Sequence, residues 1–159
     1  MIRIIAVGKK TDKDLINAIQ KYEKRLRPPF NIQWELLPYS IHQDEAARNE
    51  ESRQIMAKLK PSDKVLLLDE RGRQMTSPEF SAELTKGGNV TIIIGGAYGV
   101  SDELRQRANQ MISLSKMVFP HQLVRLILAE QIYRAQAIYQ GLPYHHEWIN
   151  SVVWRPKSE

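Results

Sequence analysis

Two stretches of the chain are apolar at nearly every position, Val65-Leu66-Leu67-Leu68 and Val90-Thr91-Ile92-Ile93-Ile94. A strand that is apolar on both faces must be covered on both, which points to a parallel sheet between helices rather than an antiparallel sheet with one wet face. The segments around them alternate in period. Residues 2 to 7 are a β-rich run ending at Gly8, and residues 12 to 27 carry Leu15, Ile16, Ile19, Tyr22 and Leu26 at helical spacing until Pro28-Pro29 stops the pattern. Residues 31 to 37 alternate Ile32, Trp34 and Leu36 as a second strand. Residues 38 to 43 read as a mobile connection, and Asp44 to Lys60 as a charged helix resting on Ile55, Met56 and Leu59. After the 65–68 strand, Asp69-Glu70-Arg71-Gly72 reads as a turn, and Ser77-Pro78 as an N-cap and first helical position of a helix that ends at Gly87-Gly88. The strand at 90 to 94 leads to a helix capped by Ser101, a short strand over 111 to 115, a loop, and a long apolar helix from Leu123 to Gln140 closed by Gly141. This alternation predicts an α/β fold, a mainly parallel sheet with helices on both faces.

A chain of 159 residues is expected to form one domain. No apolar run approaches the roughly 20 residues of a membrane span. The five apolar residues near the N-terminus fall short of the about 7 to 15 of a signal peptide, so no export is expected. The absence of cysteine excludes disulfides, cysteine nucleophiles and thiolate metal sites, and fits a cytoplasmic protein. The charge is unevenly placed. Residues 1 to 27 hold eight basic residues (Arg3, Lys9, Lys10, Lys13, Lys21, Lys24, Arg25, Arg27) against Asp12, Asp14 and Glu23, and this difference of five is the whole net charge of +5. A polyanion-attracting surface is therefore expected at the first strand and helix, with Lys9, Lys10, Lys13 and Arg25 as RNA-binding candidates. Simple solubilisation of a helix face is the other reading.

The strand at 90 to 94 runs straight into Gly95-Gly96-Ala97-Tyr98-Gly99. Glycines at the C-terminal end of a parallel strand let the backbone approach a ligand, and such crevices are where open α/β sheets bind cofactors. A purely structural turn fits the glycines equally well. The spacing is GGxxG rather than GxGxxG, and no acid ends the next strand, so a nicotinamide dehydrogenase is disfavoured. The segment Ser113-Leu-Ser-Lys-Met-Val-Phe-Pro-His-Gln-Leu-Val-Arg125 brings His121 to the start of a helix, with Arg125 one turn further on. It offers a base beside a fixed cation, or a histidine that merely caps or packs. Glu130 and Arg134 form an i,i+4 pair of the orientation that stabilises helices. Tyr144-His145-His146 follow the long helix, but adjacent histidines without HExxH, cysteine or an aspartate cluster argue against metal. GxSxG and P-loop patterns are also lacking.

Taken in order, Ile5-Ala-Val-Gly-Lys9, Tyr22-Glu-Lys-Arg-Leu26, Leu68-Asp69 with Gly72, Ile94-Gly-Gly-x-x-Gly99, Ser113-Leu-Ser-Lys-Met-Val-Phe-Pro-His-Gln122, Arg125 with Glu130-Gln-Ile-Tyr-Arg-Ala135, and Tyr144-His145 resemble the ribosomal RNA large-subunit methyltransferase H family, the smallest of the SPOUT class. The resemblance spans residues 1 to 147, as a single domain. It leaves 148 to 159 as a C-terminal extension whose Trp148, Trp154, Arg155 and Lys157 either clamp RNA or pack on the surface. It implies a trefoil-knotted SPOUT fold, a homodimer with sites shared across the interface, and transfer of the S-adenosylmethionine methyl group to N3 of a pseudouridine in 23S ribosomal RNA, on the ribosome. The resemblance assigns the cofactor to Leu68, Gly95, Gly96, Gly99, Leu114, Ser115, Lys116, Met117, Val118 and Phe119. It assigns catalysis to His121, Arg125, Tyr144 and His145, with His145 favoured as the group that deprotonates or orients the base. His146 stands where family members usually carry Arg or Lys. A knotted RNA-binding module without catalysis is the alternative.

Overall fold

A computed structural model of the chain describes residues 1–146, so the 148–159 extension lies outside the described residues. Five strands, β1 (Ile2–Val7), β2 (Ile32–Leu37), β3 (Asp63–Gln74), β4 (Asn89–Ile94) and β5 (Gln110–Ser113), alternate with α1 (Lys13–Glu23), α2 (Asp44–Lys58), α3 (Ser77–Thr85), α4 (Asp102–Arg107) and α5 (His121–Tyr139). All pairings are parallel, in the order β2-β1-β4-β3-β5. The 2.0 period of the strands divides the core in two. Ile4, Ala6, Leu66, Ile92 and Ile94 pack with Phe80 and Leu84 of α3 and Leu128, Ile132 and Ala135 of α5. Ile5, Val7, Val65, Leu67 and Ile93 pack with Ile55 of α2 and Leu104 of α4 on the opposite face. Ile4, Ile5, Leu66, Leu67, Ile92 and Ile93 are wholly buried, each contributing about 1.5–3 kcal/mol relative to exposure. The uninterrupted apolar runs of the sequence are explained by this double coverage.

Two glutamines lock α1 alongside α5. Gln122 accepts a hydrogen bond from Asp12 N (2.9 Å) and donates to Lys10 O (3.2 Å), while Gln136 accepts from Arg27 N (2.7 Å) and donates to Arg25 O (2.9 Å). The two helices therefore run parallel, one glutamine at each end of the contact.

Several boundaries differ from the sequence reading, among them α2, which ends at Lys58, β5, which ends at Ser113, and α5, which starts at His121. The 12–27 pattern is helical only to Glu23, although Leu26 remains buried in the turn beyond it. The cap of α3 is Thr76, whose side chain accepts from Glu79 N, so Ser77 is already helical. Asp69–Gly72 is not a chain-reversing turn. β3 runs through it, with Leu68 paired to Ile112 before it and Arg73 paired to Ile112 after it. The intervening residues thus arch over one point of β5, and Gly72 abuts the Met111–Ile112 backbone. Gly141, by contrast, ends α5 as expected: its φ is +71°, its N–H reaches Ile138 O and the Leu142 N–H reaches Ala137 O.

Candidate active site

Because the strands are parallel, their C-terminal ends share one edge, and a cavity of about 450 Å³ opens there beside β4, β3 and β5. Its floor is Leu68, where β3 begins its arch over β5, with Ile94 and Gly95 at the end of β4. One wall is the glycine turn, closed by the Gly99 N–H to Gly96 O hydrogen bond (3.0 Å) with Gly99 at φ +77°. This turn tolerates no side chains at its base. A β-carbon at Gly95 would lie 2.8 Å from Val100 Cγ1, and one at Gly96 would lie 2.7 Å from Glu51 Oε1. The opposite wall is the segment after β5. Ser113 Oγ donates to Ser115 O (2.8 Å) and Ser115 Oγ accepts from Met117 N (2.9 Å), which turns the chain so that Leu114, Ser115, Met117, Val118 and Phe119 face the cavity. Met117 and Val118 are 75% and 80% exposed, an apolar rim uncovered by the described residues. Lys116 is exposed and is not among the lining residues.

Charge enters from residues to which the sequence reading gave no role in the site. Asp69, Arg71 and Arg105 line the cavity as a linked set: Arg105 Nε donates to Asp69 Oδ2 (3.1 Å), and Arg71 N to Asp69 Oδ1 (2.9 Å). Burial alone pushes the Asp69 carboxyl up, but these hydrogen bonds hold it below the usual range as a carboxylate. Reading Asp69–Gly72 as a surface turn hid this set, because Arg105 reaches it from α4.

Four candidates lie on or after α5, and the structure separates them. His121, its first residue, lines the cavity half-buried. Burial, and then the charge of Arg125, lower its pKa from the ordinary histidine value, so the imidazole is neutral near pH 7 and able to accept a proton. Arg125 is 2% exposed and turned away from this cavity. Its guanidinium donates to Gly8 O (2.7 Å), Val7 O (3.2 Å) and Thr11 Oγ1 (2.6 Å), fixing the loop after β1. It borders instead a smaller cavity with Lys9, Thr11, Trp34 and Leu36. Sharing a helix side with His121 was legible in the sequence, but the pull of the Val7 and Gly8 carbonyls at the end of β1 was not.

Tyr144 and His145 are brought together at the other end of α5. Glu130 Oε1 accepts from Arg134 Nη2 (2.6 Å) and Nε (2.9 Å) and from Tyr144 Oη (3.2 Å), while Arg134 Nη1 donates to His145 Nδ1 (3.1 Å). Arginine has only donors, so Nδ1 is the accepting nitrogen. The Arg134 guanidinium also lies 4.9 Å from the Tyr144 ring centroid, and Tyr133 meets that ring edge-on at 4.7 Å. Burial and the Glu130 charge push the Tyr144 phenol well above its ordinary pKa, so it is a hydrogen-bond donor and not a base. The Glu130–Arg134 pair thus does more than steady its helix. Thirteen residues separate His121 from Arg134, about 20 Å along the axis. Lys9, Lys10, Lys13 and Arg25 are all exposed, with Lys9 and Lys10 just before α1 and Arg25 just after it, 5.5 Å from the Tyr133 ring centroid.

A glycine-walled cavity at the strand ends, with a neutral histidine on its rim, is the kind of crevice in which open α/β sheets bind nucleoside cofactors. Residues 1–145 match the family model described as "Predicted SPOUT methyltransferase", which sets the class. The chain is 44% identical to ribosomal RNA large subunit methyltransferase H of Oleidesulfovibrio alaskensis, with 91% of this chain and 98% of that protein covered. It is 42% identical to the protein of the same name from Natranaerobius thermophilus (91% and 98%) and 40% identical to that of Porphyromonas gingivalis (92% and 99%). Among solved structures, a probable methylase family protein from Haemophilus influenzae shares the fold at a TM-score of 0.53 and 11% identity, over 94% of this chain and 72% of that one. The chain belongs to the ribosomal RNA large subunit methyltransferase H family of SPOUT methyltransferases, and its methyl donor is S-adenosylmethionine.

Proposed function

We propose that the protein methylates N3 of a pseudouridine in 23S ribosomal RNA on the ribosome, acting as a homodimer in which one subunit's pocket is completed by the other's Tyr144 and His145. The observation that carries this reading is the separation along α5. His121 borders the cavity, while Tyr144 and His145 are docked farther along α5 on Glu130 and Arg134, nine and thirteen residues on, about 14 and 20 Å along the axis. A second copy can bring that end of α5 to the cavity. The relatives' name points to large-subunit ribosomal RNA as substrate.

The residues fit the donor. Apolar walls at Leu68, Val124 and Phe119 suit a purine, and the side-chain-free backbone of Gly95 and Gly96 suits the close approach of a ribose. When bound, S-adenosylmethionine supplies an electrophilic methyl group on a sulfonium. The protein's own task is to hold the base in line and to remove the imide proton from N3 as the nitrogen attacks. His121 is neutral near pH 7, the form that can take that proton, and His145, whose Nδ1 accepts from Arg134 so that the ring hydrogen sits on Nε2, is held in one orientation. Arg125 contributes by setting the Gly8–Thr11 loop, which carries Lys9 and Lys10 toward the RNA backbone.

The experiment is titration calorimetry with S-adenosylmethionine, NADH and ATP in parallel, followed by nucleoside mass spectrometry of 23S RNA from treated ribosomes. Selective S-adenosylmethionine binding that Gly95→Trp abolishes, with one added methyl on pseudouridine, is expected. Binding of none of the three would return the chain to the RNA-binding reading, with the glycine loop a structural turn.

A further inference from the structure

Behind the glycine turn lies a carboxyl group with no role in the chemistry above. Glu51, in the middle of α2, is 3% exposed. Its carboxyl faces the back of the turn, where a β-carbon on Gly96 would lie 2.7 Å from Oε1 and 3.2 Å from Oε2. Oε2 accepts one long hydrogen bond, from Ser40 N at 3.4 Å. Oε1 is buried and has no hydrogen-bond partner among the described residues. The ion pairs among the described residues do not include Glu51, and its charged neighbour Glu50 is of the same sign.

A buried carboxylate without a cation or a full set of hydrogen bonds is costly, and a core with no function for it would favour an apolar residue there. Burial pushes this carboxyl up, toward the neutral acid. The neighbouring Ser52 strengthens the case that α2 serves the turn, since its Oγ accepts from Ser101 N (2.8 Å) where the glycine loop passes into α4. The helix therefore grips the cofactor loop at both ends, at Gly96 through Glu51 and at Ser101 through Ser52. Through Ser40, the same carboxyl touches the segment after β2, where Tyr39 is 55% and Ile41 91% exposed.

We propose that Glu51 is a positioning residue for the cofactor: from behind the turn its carboxyl sets where Gly96 stands against the cavity, and through Ser40 ties that turn to the Tyr39–His42 segment. It acts through Gly96, since Glu51 itself is not among the cavity-lining residues. The inference rests on the assignment of this cavity to S-adenosylmethionine. Glutamine reproduces the shape and hydrogen-bonding capacity of a neutral carboxylic acid, whereas alanine leaves the turn unsupported.

The test measures S-adenosylmethionine affinity by calorimetry, and KM and kcat on ribosomes, for the full-length wild type, Glu51→Gln and Glu51→Ala, with thermal unfolding of each as a fold control. For Glu51→Ala we expect cofactor Kd and KM to rise at least tenfold with kcat and the ribosome KM within threefold, and for Glu51→Gln a cofactor Kd within threefold of wild type. Should Glu51→Ala not fold, Gly96→Ala, which places its methyl against Oε1, serves in its place with the same expected rise in Kd, relieved in the double variant Gly96→Ala/Glu51→Ser. Wild-type affinity in Glu51→Ala, or in Gly96→Ala, overturns the inference. Failure of Glu51→Gln to restore binding overturns the neutral-acid arrangement, and a wild type that binds no S-adenosylmethionine overturns the cofactor assignment itself.

Discussion

Gly72 and Met111 approach so closely that a β-carbon on Gly72 would lie 2.6 Å from the Met111 carbonyl carbon. Backbone, not a flexible side chain, occupies that space, and the φ of Gly72 lies outside the positive region. Sterics alone demand glycine, where β3 arches over β5.

Gly72→Ala is accordingly expected to destabilise the fold by about 3 kcal/mol, the upper range for overpacking, because β3 is also held by β4 and β5 can withdraw only by giving up its pairing with β3. Urea unfolding monitored by tryptophan fluorescence measures it. A loss under about 0.5 kcal/mol would mean that the two backbones are free to separate.

Acid sensitivity should centre on Glu83. Lys86 Nζ at 2.7 Å, together with Lys64 at 2.9 Å and Gln110 at 2.9 Å, holds its nearly buried carboxyl at about 2. A pKa depressed on folding stabilises above the unfolded value, and that contribution is lost as pH falls from about 4.5 toward 2. Glu83→Gln should cost roughly 2 to 3 kcal/mol at pH 7 and flatten the acid limb of stability against pH. Parallel acid limbs in variant and wild type would remove Glu83 from the account.

Arg125→Lys should not substitute for arginine. An ammonium cannot span Gly8 O, Val7 O and Thr11 Oγ1 at once, and the carbonyls left unpaired cost about 1–3 kcal/mol each when buried. The expected result is a lower unfolding midpoint together with weaker ribosome binding at unchanged cofactor affinity.

Mixed dimers test the proposed shared site. Gly95→Trp removes a pocket and His145→Ala removes a tail, so each homodimer should be inactive while a heterodimer retains one intact site. Co-refolded in equal amounts, the pair should recover about one quarter of wild-type activity, since half the dimers are mixed and each has one working site of two. No recovery would place pocket and tail in the same chain.

Reversal of Lys9, Lys10 and Lys13 to Glu should weaken ribosomal RNA binding by more than about tenfold near 150 mM salt and flatten its salt dependence, leaving S-adenosylmethionine binding intact. Equal affinity and equal salt slope would move the docking face away from α1.

How much of this was legible depended on the range of the forces involved. The double-faced apolar runs at 65–68 and 90–94 announced a covered parallel sheet, because burial on two sides leaves no polar alternation. The glycine turn and the 113–121 segment were legible as candidates, since their geometry is backbone and local in sequence, and all of the residues the resemblance assigned there but Lys116 border the cavity. Tertiary structure decided the rest. It turned Asp69–Gly72 from a turn into an arch over β5, sent Arg125 to the carbonyls of β1 rather than to the cavity, and made Glu130 and Arg134 the dock for Tyr144 and His145. It also placed Glu51 behind Gly96, forty-five positions away in the chain. The contacts of Arg125, Glu130 and Arg134 are set by where charged groups find partners once the sheet has closed. No local pattern encodes that, whereas periodicity and glycine placement are written residue by residue.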